Sequence, residues 1–314
     1  LLEADANIGL DLYSIQGRPA TDSNDNRYID RISSGFSILA SNQYIIMNDT
    51  TSFLIEPKIQ FSSVFSSDRT DEVPNRDSAE FRLDQANLFL NNQLQGRDNI
   101  QKNDRINLGV TSLVMTENLG DINFFIGQSQ KVSGTQKNVA VANEDRQSHI
   151  INSIDWNPSK MYKFSWFSLY NHHNFKSDTS DFNFNGSFNG WSYSANHKSV
   201  DGEFISNNID REELNVGLSK NFLNWKTSYS RTYDLNNEKE ELISETLGLE
   251  YLGTGYMFGN CLTILFEYKS SGGVADRDLL PEDSVYLTFN FRNLGDFKYQ
   301  PKRITRAINE RLKN

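Results

Sequence analysis

No run of about eighteen apolar residues occurs anywhere in the sequence, so no helix in it can cross a membrane. Cysteine is down to Cys261 alone, and an exported protein with an odd thiol commonly pairs it outside the segment in hand. Glycine and proline are sparse, 19 and 6 in 314 residues, fewer than a soluble sandwich with a turn every few residues would use. Histidine occurs four times, and no GxSxG, HExxH or phosphate-cradling glycine loop is present. No catalytic residue, cofactor site or metal site is therefore nominated. His172 and His173 would point to opposite faces of a strand and could not share a metal. Asp22, Asn24, Asp25 and Asn26 lack EF-hand spacing and read as a polar loop tip, as does Glu238-Lys239-Glu240-Glu241. Positive charge is the minority, 31 Lys and Arg against 41 Asp and Glu, and the net charge of -10 argues against nucleic acid as a partner. The chain opens at Leu1 without Met or a signal peptide and is read as a mature or truncated piece.

What is present is aromatic and alternating. The hydrophobic fraction is only 37%, yet 12% of residues are aromatic, with 21 Phe and 13 Tyr, which a disordered chain would not carry. A transmembrane β-barrel reconciles the two, because its strands turn every second residue to lipid and the others to a wet lumen. Ala4, Ala6, Ile8, Leu10 and Leu12 share one parity, and Asp5, Asn7, Gly9 and Asp11 the other. Phe53, Ile55, Pro57, Ile59 and Phe61 alternate with Glu56, Lys58, Gln60 and Ser62. Leu262, Ile264, Phe266 and Tyr268 oppose Cys261, Thr263, Glu267 and Lys269, and Val285, Leu287, Phe289 and Phe291 oppose Tyr286, Thr288 and Asn290. Helical spacing fits none of these windows. The expected lumen-facing residues are Asp5, Asp11, Glu56, Lys58, Gln60 and Glu267.

Counting such windows predicts an all-β, antiparallel outer-membrane β-barrel, with roughly fourteen strands here and more in a larger barrel. They fall near 2–13, 30–47, 51–63, 104–116, 119–129, 147–157, 160–171, 174–188, 190–198, 211–220, 223–234, 241–253, 260–270 and 284–293. Residues 1–295 are read as the barrel domain and 296–314 as a periplasmic tail, helical by the spacing of Ile304, Ile308 and Leu312. Short links at Asn48-Asp49-Thr50, Glu117-Asn118, Asn157-Pro158-Ser159, Asn189-Gly190 and Asn221 to Asn224 mostly alternate with long ones at 14–29, 64–103, 130–146, 199–210 and 271–283. Taking 284–293 as the last strand, ending in the periplasm, puts every long loop outside. The hairpin near His172 is short where an outer loop is expected. Trp156, Tyr162, Trp166, Trp191 and Trp225 read as interfacial girdles near strand ends. The 64–103 loop carries Phe81, Leu88, Phe89 and Leu90, too apolar for free solvation, and should fold over or into the lumen. A soluble sandwich or solenoid is the alternative fold, and a general porin the alternative function.

One stretch resembles a known family. Pro74-Asn75-Arg76-Asp77-Ser78, then Phe81, Asp84, Asn87, Leu88 and Phe89, then Gly96, Asp98, Arg105, Asn107 and Gly109, resembles the C-terminal domain of the LptD family, the lipopolysaccharide-assembly translocons. Asn99 stands where that family commonly has Arg. Glu56-Pro57, Gly248-Leu249-Glu250-Tyr251, Cys261, Pro281-Glu282-Asp283-Ser284 and Asn293-Leu294-Gly295 resemble further family strands. The resemblance implies a non-enzymatic protein of the cell outer membrane that inserts lipopolysaccharide into the outer leaflet. It implies a preceding periplasmic jellyroll and earlier barrel strands, a plug lipoprotein LptE in the lumen, and delivery by the periplasmic bridge protein LptA. It implies a weak seam between first and last strands, the last being 284–293 here, opening to outer-membrane lipid. It also implies a disulfide from Cys261 to the periplasmic domain; relatives often carry two adjacent cysteines where this chain has Asn260-Cys261.

Overall fold

The computed structural model describes residues 1–15, 27–67, 79–80, 82–91, 94–95, 98, 100, 102–134, 146–202, 210–236, 241–252, 262–272, 282–291 and 295–305. Eighteen strands are defined: β1 (Leu2–Ile15), β2 (Arg27–Ser41), β3 (Tyr44–Met47), β4 (Thr51–Ser66), β5 (Ala79–Glu80), β6 (Leu94–Gln95), β7 (Asn103–Thr116), β8 (Gly120–Gly134) and β9 (Ile150–Ser159) in the first half. The second half holds β10 (Tyr162–Tyr170), β11 (Ser177–Phe188), β12 (Trp191–Val200), β13 (Arg211–Phe222), β14 (Trp225–Asp234), β15 (Glu241–Leu252), β16 (Leu262–Ser271), β17 (Glu282–Phe291) and β18 (Gly295–Thr305). Sixteen of them form one antiparallel sheet in sequence order, with β3 lying on β4 beside β2, and β5 and β6 form a separate ladder. Every strand window read from the alternation is present, and two elements are added to the main sheet, besides the short β5–β6 ladder.

The first addition is a division. The 30–47 window is split into β2 and β3, although both keep one register on β4, Ser41 facing Lys58 and Tyr44 facing Ile55. The break falls opposite Pro57, which has no N–H to donate to the ladder. The Pro57 carbonyl still accepts a hydrogen bond from the Asn42 amide at 3.3 Å. The second addition corrects the C-terminal reading. Gly295–Thr305 is a strand paired to β17, with Phe297 opposite Phe289 and Tyr299 opposite Leu287. Period-two alternation over Phe297, Lys298 and Tyr299 prevails there over the four-residue spacing that suggested a helix, and 306–314 lie outside the described residues. β17 is accordingly paired on both edges, with β16 and β18, and does not carry the free edge expected of 284–293. Counting orientation back from it loses its anchor, but the alternation of link lengths does not depend on it.

Tight links at Glu117–Leu119, Asn189-Gly190 and Leu223-Asn224 join their strands in register. Asn189 and Gly190 have φ of 48° and 72°, the left-handed pair that a two-residue hairpin matched to strand twist requires. His172 and His173 lie in the turn between β10 and β11 and not on a strand, which brings their ring centroids to 3.8 Å. Trp191 and Trp225 open β12 and β14 as a girdle requires, whereas Trp166 lies mid-strand in β10 and donates to Ser180 Oγ at 3.0 Å.

The chain divides into two compact units, Leu1–Asp155 with Phe167–Asp178, and Trp156–Trp166 with Thr179–Asn314. In each, the two faces are inverted relative to a soluble protein. Among the described residues seventeen buried side chains are polar or charged and five are apolar. In the first unit Ile8, Leu10 and Leu12 are 85%, 67% and 77% exposed, while Arg31, Ser62 and Asn107 are wholly buried. In the second, Leu218, Leu247 and Phe266 are exposed on one face, and Glu250, Glu267 and Thr288 take the other parity. Such a sheet has its apolar side where a membrane would be.

Phe266 sits between Leu249 and Leu287 on that apolar face. We predict that Phe266→Arg lowers the urea unfolding free energy in phospholipid vesicles by about 2–4 kcal/mol. Thr288→Arg, on the opposite face, should cost less than half as much; equal losses would mean that the faces are wrongly assigned.

Candidate functional site

The polar face of the first unit is built by β1, β2, β4, β7 and β8, whose alternation puts Asp5, Asp11, Arg31, Gln60, Ser62, Arg105 and Asn107 on one side. Arg31 is wholly buried and faces Asp11 across the β1–β2 ladder. Its Nη2 reaches Asp11 Oδ2 at 2.6 Å and the Tyr13 hydroxyl at 2.8 Å, and its Nε adds a second bond to the same carboxylate. Burial of that guanidinium is possible because a carboxylate, a phenol and an aromatic face all meet it, the Tyr13 ring centroid lying 5.3 Å away.

Onto this face folds part of the long connection between β4 and β7. Residues 82–91 form a turn closed by two side chains that cap each other's backbone. Asp84 Oδ1 accepts from the amides of Ala86 (2.8 Å) and Asn87 (3.0 Å), and Asn87 Oδ1 accepts from the Asp84 amide at 2.7 Å. Asn87 Nδ2 donates to the Arg82 carbonyl at 2.8 Å. The turn projects Leu88 and Phe89 onto the sheet, where Leu88 is fully buried. Two glycines make the room. A Cβ at Gly127 would lie 2.6 Å from Leu88 and 2.7 Å from the Phe125 ring, and one at Gly109 would lie 2.9 Å from Phe89. Glycine inside a strand is otherwise unfavourable, and close approach of another segment is the reason for it here.

The segment is then tied down at its carbonyls. Gln60 Nε2 donates to the Phe89 carbonyl at 2.8 Å, Gln60 Oε1 accepts from Asn107 Nδ2 at 2.8 Å, and Arg105 donates to the Asn91 carbonyl at 2.7 Å. Asn91 Nδ2 reaches Asp5 Oδ1 at 2.9 Å, and Arg31 donates to the Asp98 carbonyl. Arg82 stacks over Phe167 at 3.9 Å. Beside Phe89 and Asn91 a hollow of about 550 Å³ remains, lined also by Glu3, Asp5, Ser37 and Gln60.

Of the residues singled out from sequence, Asp5 and Gln60 meet the infolded turn of Asp84, Asn87 and Phe89, and Asp11 holds the Arg31 that reaches the same connection at Asp98. Glu56 and Lys58 pair with each other at 3.1 Å. Pro74, Asn75, Asp77, Ser78, Phe81 and Cys261 lie outside the described residues, as do Asp22, Asn24, Asp25, Asn26 and 238–240. Arg31, Asn91, Phe125 and Gly127 were not singled out. Gly127, isolated in a strand pattern, was a usable signal; Arg31 becomes visible only when the β1–β2 register sets it opposite Asp11.

The polar face of the second unit carries mixed charge. Glu267 and Lys269 pair at 3.3 Å, Lys226 and Glu250 lie 3.9 Å apart, and Lys298 stands 3.9 Å over the Tyr286 ring. Asn215 donates to Thr232 Oγ1 at 2.7 Å. Lys198, Val200, Arg211 and Glu213 line a smaller cavity of about 140 Å³.

Long antiparallel strands, apolar where exposed and polar where buried, with a loop folded onto the polar face, define an outer-membrane β-barrel. The family model described as LPS transport system D matches residues 3–230, and the chain belongs to the LptD family, proteins of the cell outer membrane that serve lipopolysaccharide transport. No curated protein matches it. Solved structures similar to it include a triple mutant of the Rhodopseudomonas blastica porin, with 9% identity, 95% of this chain and 100% of that one covered, and a TM-score of 0.36. Pseudomonas aeruginosa OccK9 shows 12% identity, 98% and 94% coverage and a TM-score of 0.37. Salmonella typhi OmpF in complex with daunomycin shows 9% identity, 95% and 89% coverage and a TM-score of 0.33.

Asp84→Ala removes an ionised acceptor from two amides, a loss of roughly 2 kcal/mol to the infolded turn. In proteoliposomes we expect cleavage within 82–91 to accelerate at least fivefold, while the heat-induced gel shift of the whole sheet stays put. An unchanged cleavage rate would show that the reciprocal cap does not hold the turn.

Proposed function

We propose that this chain is the C-terminal part of a barrel that inserts lipopolysaccharide into the outer leaflet of the outer membrane. The observation that carries the reading is the polar face itself: buried, hydrogen-bonded and of mixed charge, beneath an infolded turn, in a chain of the LptD family. Lipopolysaccharide has a charged sugar head and a greasy anchor. The head can travel along a wet lumen lined by residues such as Asp5, Asp11, Glu56, Lys58, Gln60 and Glu267. The acyl chains must leave sideways into lipid, which needs a weak seam between two strands, because a barrel has no other edge. The infolded turn narrows the passage on the polar side, and so favours sideways over upward exit. The barrel domain extends past 295 through β18. The plug lipoprotein LptE is the proposed lumenal partner and LptA the proposed source of substrate.

A general porin is the second reading, favoured by one observation: an infolded loop beside an Arg–Asp pair is also how a porin constricts its pore. Depletion of the full-length protein separates the two. Loss of newly made lipopolysaccharide from the cell surface, with small-solute entry unchanged, is the expected result. Slower solute uptake with normal surface lipopolysaccharide would establish the porin instead.

Cys261 carries a linked proposal, a disulfide to a periplasmic domain of the same protein, permitted by the oxidising compartment. Such a bond would hold the delivery domain beneath the seam. A non-reducing gel of full-length protein should show a mobility shift that Cys261→Ser abolishes. Free reaction of Cys261 with a maleimide in unreduced protein would refute the bond.

A further inference from the structure

Charge facing a bilayer is costly, so an ionisable pair on the apolar face of a membrane strand is a site by default. The second unit has one. Arg231 on β14 stands directly opposite Glu245 on β15, in a cross-strand row with Val216 and Ser270. One step toward the tight-turn end, the row on the same face is Leu218, Tyr229, Leu247 and Tyr268, with Leu218 and Leu247 45% and 51% exposed. One step the other way come Leu214, Tyr233 and Leu242. The pair is therefore flanked by apolar rows on both sides.

Its surroundings hold the guanidinium without using it up. The guanidinium carbon lies 4.8 Å from the Tyr233 ring centroid, and Tyr229 stands on the same face one row from Arg231 and Glu245. Arg231 Nε is screened from water and has no hydrogen-bond partner. An arginine offers five N–H donors in a rigid fork, and here Glu245 faces it across the ladder without closing an ion pair on it. Phosphate oxygens match that fork bidentately, whereas a sugar hydroxyl or an acyl chain does not. Depth agrees with a headgroup. Arg231 precedes Asp234, where β14 ends on the long-loop side, by three residues, roughly 10 Å along a strand.

We propose that Arg231, flanked by Tyr229 and Tyr233, docks the phosphate of an outer-leaflet lipid, whose acyl chains then lie along Leu247, Leu249 and Phe266. These three side chains are exposed and run from the pair toward the tight-turn end. The contact is non-covalent. It rests on the outer-membrane location of the chain and not on the direction in which lipopolysaccharide is moved, so failure of the transport reading leaves it standing.

Native mass spectrometry of the full-length protein in detergent tests it, with phosphatidic acid, diacylglycerol of the same chains and inorganic phosphate as the added probes. Wild type should retain phosphatidic acid well above diacylglycerol, and inorganic phosphate should not compete at equal concentration. Arg231→Gln should weaken phosphatidic acid retention about tenfold, the worth of a charge-assisted hydrogen bond. Glu245→Gln should strengthen it, because the competing carboxylate is gone. Equal retention of diacylglycerol, displacement by inorganic phosphate, or no change on Arg231→Gln would each overturn the site. If Arg231→Gln loses the heat-induced gel shift of a folded barrel, Glu245→Gln decides: unchanged or weaker retention refutes the proposal.

Discussion

Within hydrocarbon there is no water to satisfy a peptide group, and each unpaired N–H or C=O costs several kcal/mol. The rest of this structure follows from that constraint. It demands a ladder in which each strand is paired along its length, and β17 with β16 and β18, or β4 with β2, β3 and β7, meet the demand on both edges. Even the interruption at Pro57 keeps its carbonyl bonded. Once the backbone is committed in this way, only the two faces remain to be written by sequence. One must suit lipid and the other water, which produces a protein whose buried side chains are mainly polar.

The same constraint explains why a loop can fold onto the polar face. That face offers donors and acceptors instead of a greasy surface, so an incoming segment is held by its carbonyls, to Gln60, Arg105 and Arg31. Apolar contact is confined to the place where Gly109 and Gly127 admit Leu88 and Phe89 against Phe125. The Asp84–Asn87 cap shapes the turn before it docks, so its backbone arrives already satisfied. The family motif in this stretch thus has a mechanical meaning: two residues cap the turn, two are inserted, and glycines receive them.

The charged groups divide by face in the same way. On the polar side they pair with near neighbours, as Glu56 with Lys58 and Glu267 with Lys269. Arg231 and Glu245 lie on the other side, where their neighbours are aromatic and aliphatic, and His197 and Glu212 share that parity nearer the strand end. A lone charge there would be expelled toward water; one that faces an opposite charge and is flanked by two tyrosines can stay.

Alternation alone determined the fold class, the strand windows and the two faces, because side-chain period in a strand is two and lipid and lumen each favour one kind of side chain. It also marked the 64–103 connection as too apolar to float free. It did not reveal β18, whose short Phe297-Lys298-Tyr299 pattern is persuasive only beside Phe289 and Leu287. Nor could it reveal Arg31 and Gly127 as partners of the infolded connection, Asn91 as its tie to Asp5, or that the rings of His172 and His173 meet in a turn. Those are relations between residues tens of positions apart, or inside a turn, and register and close packing, which only the folded chain possesses, decide them.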